Sequence, residues 1–298
     1  MKIQVLILFA VLFACACQIS QKAQTNEVSN EAISNQKRIV NSSENTQSKV
    51  EKPKPVDDSR FSAVEIKRTE KKNKFSLNVD VKYPQFKKAK TSQEINFNQY
   101  VKKQVDEQIA DFNNFLVNEK TKEVKVKNEL EFEINLDYKI EYVSENFTSV
   151  LMNWNGYSGY LNMDYFPSTI NFDLKKGKFI KLKELFESDT KYLEKVSELS
   201  IEKLKRTCLM CPCKDGTNAG KPLPEGVNDN GNITDGMFNL NEAVSAKEEN
   251  FRNWSVTAEG LKITFDEYQV GPGCIGIIHI VIPFSDLQPI LRKDLDFN

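Results

Sequence analysis

Residues 75–83, FSLNVDVKY, alternate apolar and polar side chains without a break. That is the two-residue period of a strand with one buried face. The alternation runs over 74–83 and closes at Tyr83-Pro84, because proline cannot donate to a strand ladder. Upstream, 61–68 carries the same period and forms a second strand. Downstream, 92–116 changes to helical spacing, with Ile95, Tyr100, Val101, Val105, Ile109, Phe112, Phe115 and Leu116 on one side. Thr91 and Ser92 stand where a side chain can cap the first free N–H groups. This predicts a long amphipathic helix lying on a sheet.

Period two returns over 129–142, 147–154 and 165–174, the last leading through Lys175-Lys176-Gly177-Lys178 into a short run. Stretches 182–186 and 190–205 are helical, 254–257, 261–270 and 276–284 are strands, and 286–292 is a final short helix. Strands, helix, strands, helix, strands, with no regular βαβ alternation, predict an α+β fold with mostly antiparallel sheet. The folded part is expected over 60–298, as one domain or as two divided between 143 and 144.

The preceding segments have other roles. Residues 1–17, MKIQVLILFAVLFACAC, combine Lys2, a short apolar run over 3–13 and a small-residue ending. This is an export signal, too short to span a bilayer as a mature helix. Its ending invites lipid attachment at Cys15, with Cys17 as the alternative site; an ordinary cleaved signal without lipid is the other option. Residues 18–59 are poor in large apolar side chains, so they form a tether rather than a core. The expected location is the cell envelope, facing the periplasm or the exterior, and the outer membrane if the host has one.

Net charge is −1, with Lys and Glu interleaved rather than blocked. Phosphate binding needs a concentrated basic face, so nucleic acid is excluded as a partner. Enzyme signatures are sparse. No phosphate-cradling or dinucleotide-binding glycine loop is present, and no Gly-x-Ser-x-Gly elbow. His279 is the only histidine and sits in an apolar strand, where a structural role outweighs catalysis. Carboxylates such as Asp164, Asp173, Asp266 and Glu267 are common enough to be surface groups, although a carboxylate-dependent enzyme can be built from such pairs. No catalytic residue, cofactor or metal site is assigned. In an oxidising compartment Cys208, Cys211, Cys213 and Cys274 are expected to form disulfides whose pairing the sequence does not give. A thiolate metal shell completed by Cys274 or His279, and a reactive Cys-x-Cys pair, are the alternatives.

The strongest binding signal is the loop from 154 to 166. Trp154, Tyr157, Tyr160 and Tyr165 alternate with Gly156 and Gly159, a mixture of rigid aromatic anchors and small residues that suits recognition of protein or of sugar rings. Burial of Trp154 and Phe166 in the core is the competing expectation.

Two stretches carry a family likeness. Residues 172–178, FDLKKGK, followed by Leu182-Lys183-Glu184-Leu185-Phe186, form the first. Gly260-Leu261, Phe265, Tyr268-Gln269-Val270, Gly271-Pro272, Gly276 and Ile282-Pro283-Phe284 with Leu287 form the second. Together they resemble a family of bacterial envelope domains that includes the extracellular part of RsiV-type lysozyme-sensing anti-sigma factors and the non-catalytic N-terminal module of some peptidoglycan deacetylases. Where relatives have Gly-Gly-Ala-His, this chain has Gly156-Tyr157-Ser158-Gly159-Tyr160, and Cys274 replaces an alanine. The resemblance implies a sensing or binding module without a cytoplasmic or catalytic part. The expected function is therefore a membrane-attached module, held by its lipid, that binds a cell-wall protein or glycan, with a lysozyme-like hydrolase among the candidates.

Overall fold

The alternation at 75–83 folds as one arm of a long hairpin. In the computed structural model, which describes residues 58–72, 75–117, 130–159, 163–209, 221 and 239–294, strand β1 (Phe61–Lys72) pairs antiparallel with β2 (Phe75–Phe86). Helix α1 (Ser92–Phe115) then begins at a reciprocal cap: Thr91 Oγ1 accepts the Glu94 N–H at 3.1 Å, and Glu94 Oε2 accepts the Thr91 N–H at 3.3 Å. Two orphan donors are satisfied at once. Asn98 fixes the entry angle by exchanging two hydrogen bonds with the Phe86 backbone. Phe97, Val101, Val105 and Ile109, each one turn apart, form the buried stripe of the helix.

Because α1 carries the chain back across the sheet, β3 (Leu130–Val143) runs parallel to β2, from Phe75↔Leu130 to Val81↔Leu136. Antiparallel pairing then resumes with β4 (Phe147–Tyr157), β5 (Asp164–Tyr165), β6 (Ser168–Asp173) and β7 (Lys178–Phe179). The order is β1-β2-β3-β4-β6-β7, with β5 also on β4. A 3-10 turn (Leu182–Leu185) and helix α2 (Tyr192–Leu204) lead to a second, antiparallel sheet of β8 (Trp254–Thr257), β9 (Gly260–Phe265) and β10 (Ile278–Ile282), in the order β10-β9-β8. The fold is α+β, mostly antiparallel, as the sequence predicts. Among the described residues no helix is long and apolar enough to cross a membrane.

Several expected boundaries move. The strand expected over 261–270 stops at Phe265, because the chain turns there and Tyr268 takes a left-handed φ of 66°. The strand over 276–284 shortens to Ile278–Ile282 between Gly276 and Pro283. The final helix is one turn, Phe284–Leu287, after which Leu291 bridges back to Phe186. A division between 143 and 144 does not fit, since β3 and β4 pair from Glu133↔Tyr157 to Val143↔Thr148 across that point. The hydrophobic side chains separate differently. One core, from Phe61 to Leu174, lies between the large sheet and α1; the other joins Tyr142 and Phe147 to residues from Ile180 to Leu287. Cys15, Cys17 and the whole of 1–57, with the signal and tether expectations, lie outside the described residues.

The small sheet docks by its β8 edge on the face of the large sheet opposite α1. A buried strand edge must satisfy its backbone groups elsewhere. Side chains do so here: Thr169 Oγ1 accepts the Trp254 N–H at 3.1 Å, Asn171 Nδ2 donates to the Trp254 carbonyl at 2.7 Å, and Ser149 Oγ accepts the Val256 N–H at 3.0 Å. Beside them, Lys262 Nζ of β9 meets Glu141 Oε1 of β3 at 2.7 Å, and Lys139 Nζ meets the other carboxylate oxygen at 3.1 Å. Desolvation pushes the Glu141 carboxyl up, but the two ammonium groups outweigh it and hold it below its ordinary value.

Candidate functional site

The docked sheet covers only part of that face. Directly opposed residues of an antiparallel pair share a side of the sheet. The pairs Asp137↔Asn153, Asn135↔Asn155, Glu133↔Tyr157 and Asn155↔Tyr165 therefore present one surface. The alternate residues Ile134, Leu136 and Trp154 are buried towards α1. Asn135 Nδ2 donates to Asn155 Oδ1 at 3.0 Å, which orients both amides and leaves the Asn135 oxygen and the Asn155 nitrogen for another partner. A depression of about 470 Å³ continues the surface towards β1 and β2, lined by Ala63, Glu65, Lys82, Asp137, Tyr138 and Lys139 among others.

The loop after β4 is built from the same alternation. Trp154 is 4% exposed and stacks on Phe166 with centroids 6.3 Å apart, so it supports the surface instead of joining it. Gly156 is a packing position: a Cβ there would lie 3.0 Å from the Phe112 ring of α1. Gly159 has φ +86°, a conformation that favours glycine, and lies over the Phe132 ring. Ser158 is buried and donates to Asp164 Oδ2 at 3.3 Å. Of the residues expected to bind, Tyr157 is half-buried at the strand end and Tyr165 is 48% exposed, while Tyr160 lies outside the described residues.

The connection from β9 to β10, residues 266–277, forms the rim. Asp266 is held by Arg252 and by Asn253 Nδ2 at 2.9 Å, and its N–H is accepted by Gln269 Oε1 at 3.1 Å. Burial raises the Asp266 carboxyl, with Arg252 opposing that shift. Gln269 Nε2 also donates to the carbonyls of Ala243 and Asn250. This bracing carries Tyr268 outward, 62% exposed, with its ring resting where a Gly273 side chain would be. Glu267 reaches the other loop. Its carboxyl is raised first by burial and further by Asp164, against the backbone N–H of Tyr165. The two loops thus meet, and both contribute an exposed tyrosine and a carboxylate.

His279 belongs to a different place. It lies on β10 with Nδ1 3.0 Å from Thr264 Oγ1, so a side-chain hydroxyl partners it. Desolvation first, and then the Lys262 ammonium, lower its pKa to about 4. Asp173 is structural, since its Oδ1 accepts the N–H groups of Lys175 and Lys176 at 2.9 and 2.8 Å. Cys208 is buried, Cys274 is exposed on the 266–277 loop, and neither is a free thiol. Cys211 and Cys213 lie outside the described residues. Among the described residues no group of three or more His, Cys, Asp or Glu side chains is placed to hold a metal.

Sequence reasoning missed Asn135, Asn153 and Asn155, and it named Glu267 only among common carboxylates and Tyr268 only within the family likeness. The alternate asparagines of MNWNGY were the available signal, because polar residues at period two mark an outward face.

Residues 183–285 match a family described as protein of unknown function (DUF3298). The chain is similar to peptidoglycan-N-acetylmuramic acid deacetylase PdaC of Bacillus subtilis (strain 168), at 26% identity over 237 residues, which are 79% of this chain and 43% of that protein. It therefore spans less than half the length of that relative. Its fold is similar to the crystal structure of a DUF3298 family member from Bacteroides fragilis NCTC 9343, with a TM-score of 0.55 and 15% identity over 78% of this chain and 94% of that one. A DUF3298 family protein from Pseudomonas aeruginosa PAO1 compares with a TM-score of 0.49 and 10% identity, covering 83% of this chain and 99% of that one.

Proposed function

We propose that the protein is a binding module of the cell envelope, attached by lipid at Cys15 or Cys17, whose uncovered sheet face holds a cell-wall glycan. The observation that carries this is the joint surface of Asn135, Asn153, Asn155, Tyr157 and Tyr165. Outward amides offer paired donors and acceptors to hydroxyl groups, and tyrosine rings give rigid apolar area to sugar faces at low entropic cost. The similarity to a peptidoglycan deacetylase supports the wall as the setting. Of the two partners the sequence left open, protein and glycan, the amide-rich chemistry favours glycan.

Co-sedimentation of the full-length chain, in mild detergent, with purified wall polymer tests it. Binding that Tyr165→Ala or Asn153→Ala weakens is the expected result. Unchanged binding in both variants removes the face from the account. We also infer that Cys208, Cys211, Cys213 and Cys274 are held as disulfides; alkylation before and after reduction, read by mass, counts the thiols released.

Hydrolysis is the second reading, favoured by one observation: the raised Glu267 carboxyl beside Asp164. Glycosidases use such a pair when substrate lies between the two groups. New reducing ends from wall polymer, lost with Glu267→Gln, would establish it.

A further inference from the structure

The large sheet ends at β1, whose outer edge is long. In the order β1-β2-β3-β4-β6-β7 this strand has one neighbour, and among the described residues 62–70 makes backbone hydrogen bonds to β2 alone. An open edge is a template for another strand unless its side chains refuse one. Here the charges on the open side alternate in sign. Val64 and Ile66 pack towards the core under α1, while Glu65 and Lys67 stand on the open face with side chains 53% and 60% exposed. Each already meets its opposite charge on β2, Glu65 with Lys82 at 3.6 Å and Lys67 with Asp80 at 3.3 Å.

We infer that β1 pairs antiparallel with β1 of a second copy of this chain, about a two-fold axis at Ile66. Two rules fix that register. Only alternate residues of an edge strand direct their N–H and C=O outward, so opposed residues of two identical strands must both be odd or both be even in number. That keeps both α1 helices on one side of the joined sheet and both open faces on the other. Charge then selects among the permitted steps, since like charges directly opposed destabilise a strand pair. An axis at Glu65, Lys67 or Arg68 sets a charge against its own copy, and an axis at Val64 shortens the seam and leaves Glu65 opposite Ala63. With the axis at Ile66, Glu65 of each copy faces Lys67 of the other and Ile66 meets Ile66, a self-complementary contact. Lys82 and Glu65 of one copy, followed by Lys67 and Asp80 of the next, then form a row that alternates in sign across the seam, and symmetry makes that row twice. The open surface gains length as well. Asp80↔Asn135, Asn135↔Asn155 and Asn155↔Tyr165 continue the Lys67 row through each copy, so the dimer joins two open faces into one. The seam itself needs no ligand, so the inference goes beyond the glycan reading and stands or falls separately from it.

Sedimentation velocity of the full-length chain in mild detergent, over a protein series reaching high micromolar, reads the association. A dimer is expected. Lys67→Glu and Glu65→Lys each make both seam pairs repulsive, and each should raise the dissociation constant about tenfold or more. An equimolar mixture of the two variants should dimerise again, because every seam pair between them is once more an acid against a lysine. The chain carrying both substitutions should dimerise for the same reason, and circular dichroism checks that each variant is folded. A monomer at every concentration, a dimer that both single variants leave intact, or a mixture of folded variants that stays monomeric overturns the inference. Sedimentation of the unaltered chain with wall polymer tests the glycan reading independently of all three results.

Discussion

One face of the large sheet is used in two ways, and the residue types hardly differ. On the covered part, Ser149, Thr169 and Asn171 spend their hydrogen bonds on the edge of β8. On the open part, Asn135 and Asn155 bond to each other, and Asn153 projects beside them without a side-chain hydrogen bond among the described residues. An asparagine facing outward from a strand is a structural residue in the first setting and a recognition residue in the second. What separates them is whether another sheet lies above.

The comparison breaks most visibly at the ion pair. Lys262→Met leaves the Glu141 carboxylate buried against Lys139 alone, and loss of one partner of a buried pair costs about 3–5 kcal/mol. Urea unfolding of the variant should show that drop, and Lys262→Met with Glu141→Gln should recover much of it. The same pair sets an acid limit. Because the folded pKa of Glu141 lies below its ordinary value, its contribution is complete above the unfolded carboxylate pKa and is lost as pH falls through the folded value. Acid unfolding of Glu141→Gln should lack that component.

Next comes the polar junction. Asn171→Ala strands the Trp254 carbonyl in a buried place, at about 1–3 kcal/mol. Asn153→Ala on the open part should change stability by no more than about 0.5 kcal/mol, as surface substitutions do. Similar losses for the two asparagines, by chemical unfolding, would show that the face has no functional division.

The smallest effect concerns His279. The folded pKa of about 4 lies below the ordinary histidine value, so between about 4 and 6.5 the unfolded chain takes up a proton that the folded chain refuses. Stability therefore declines as pH falls through that window, and His279→Gln should remove that part of the slope. As the single histidine, its ring is a single NMR titration; a midpoint near 4 is expected, and one near 6.5 would mean that desolvation and Lys262 do not act on it.

Periodicity made the first half of the fold legible. FSLNVDVKY and the stripe Phe97, Val101, Val105 and Ile109 each state which side is buried, and both fold accordingly. Asp266-Glu267-Tyr268-Gln269-Val270 misled, because Tyr268 and Val270 resume a two-residue period after Asp266-Glu267 while side-chain bonds from Gln269 and the left-handed Tyr268 turn the chain. The site was legible in part. Tyr157 and Tyr165 stood out by composition, but Trp154 and Gly156 are supports whose roles depend on Phe166 and Phe112, far apart in sequence. Nor can alternation tell which outward residues a second sheet will cover, so Asn153 and Asn171 read alike until β8 is in place.

Wall binding and thermal unfolding, measured together on the full-length chain carrying both Asn153→Ala and Tyr165→Ala, test the division of the face most directly. The account predicts that sedimentation with wall polymer is lost while Tm is unchanged. Undiminished binding by that folded variant would contradict it.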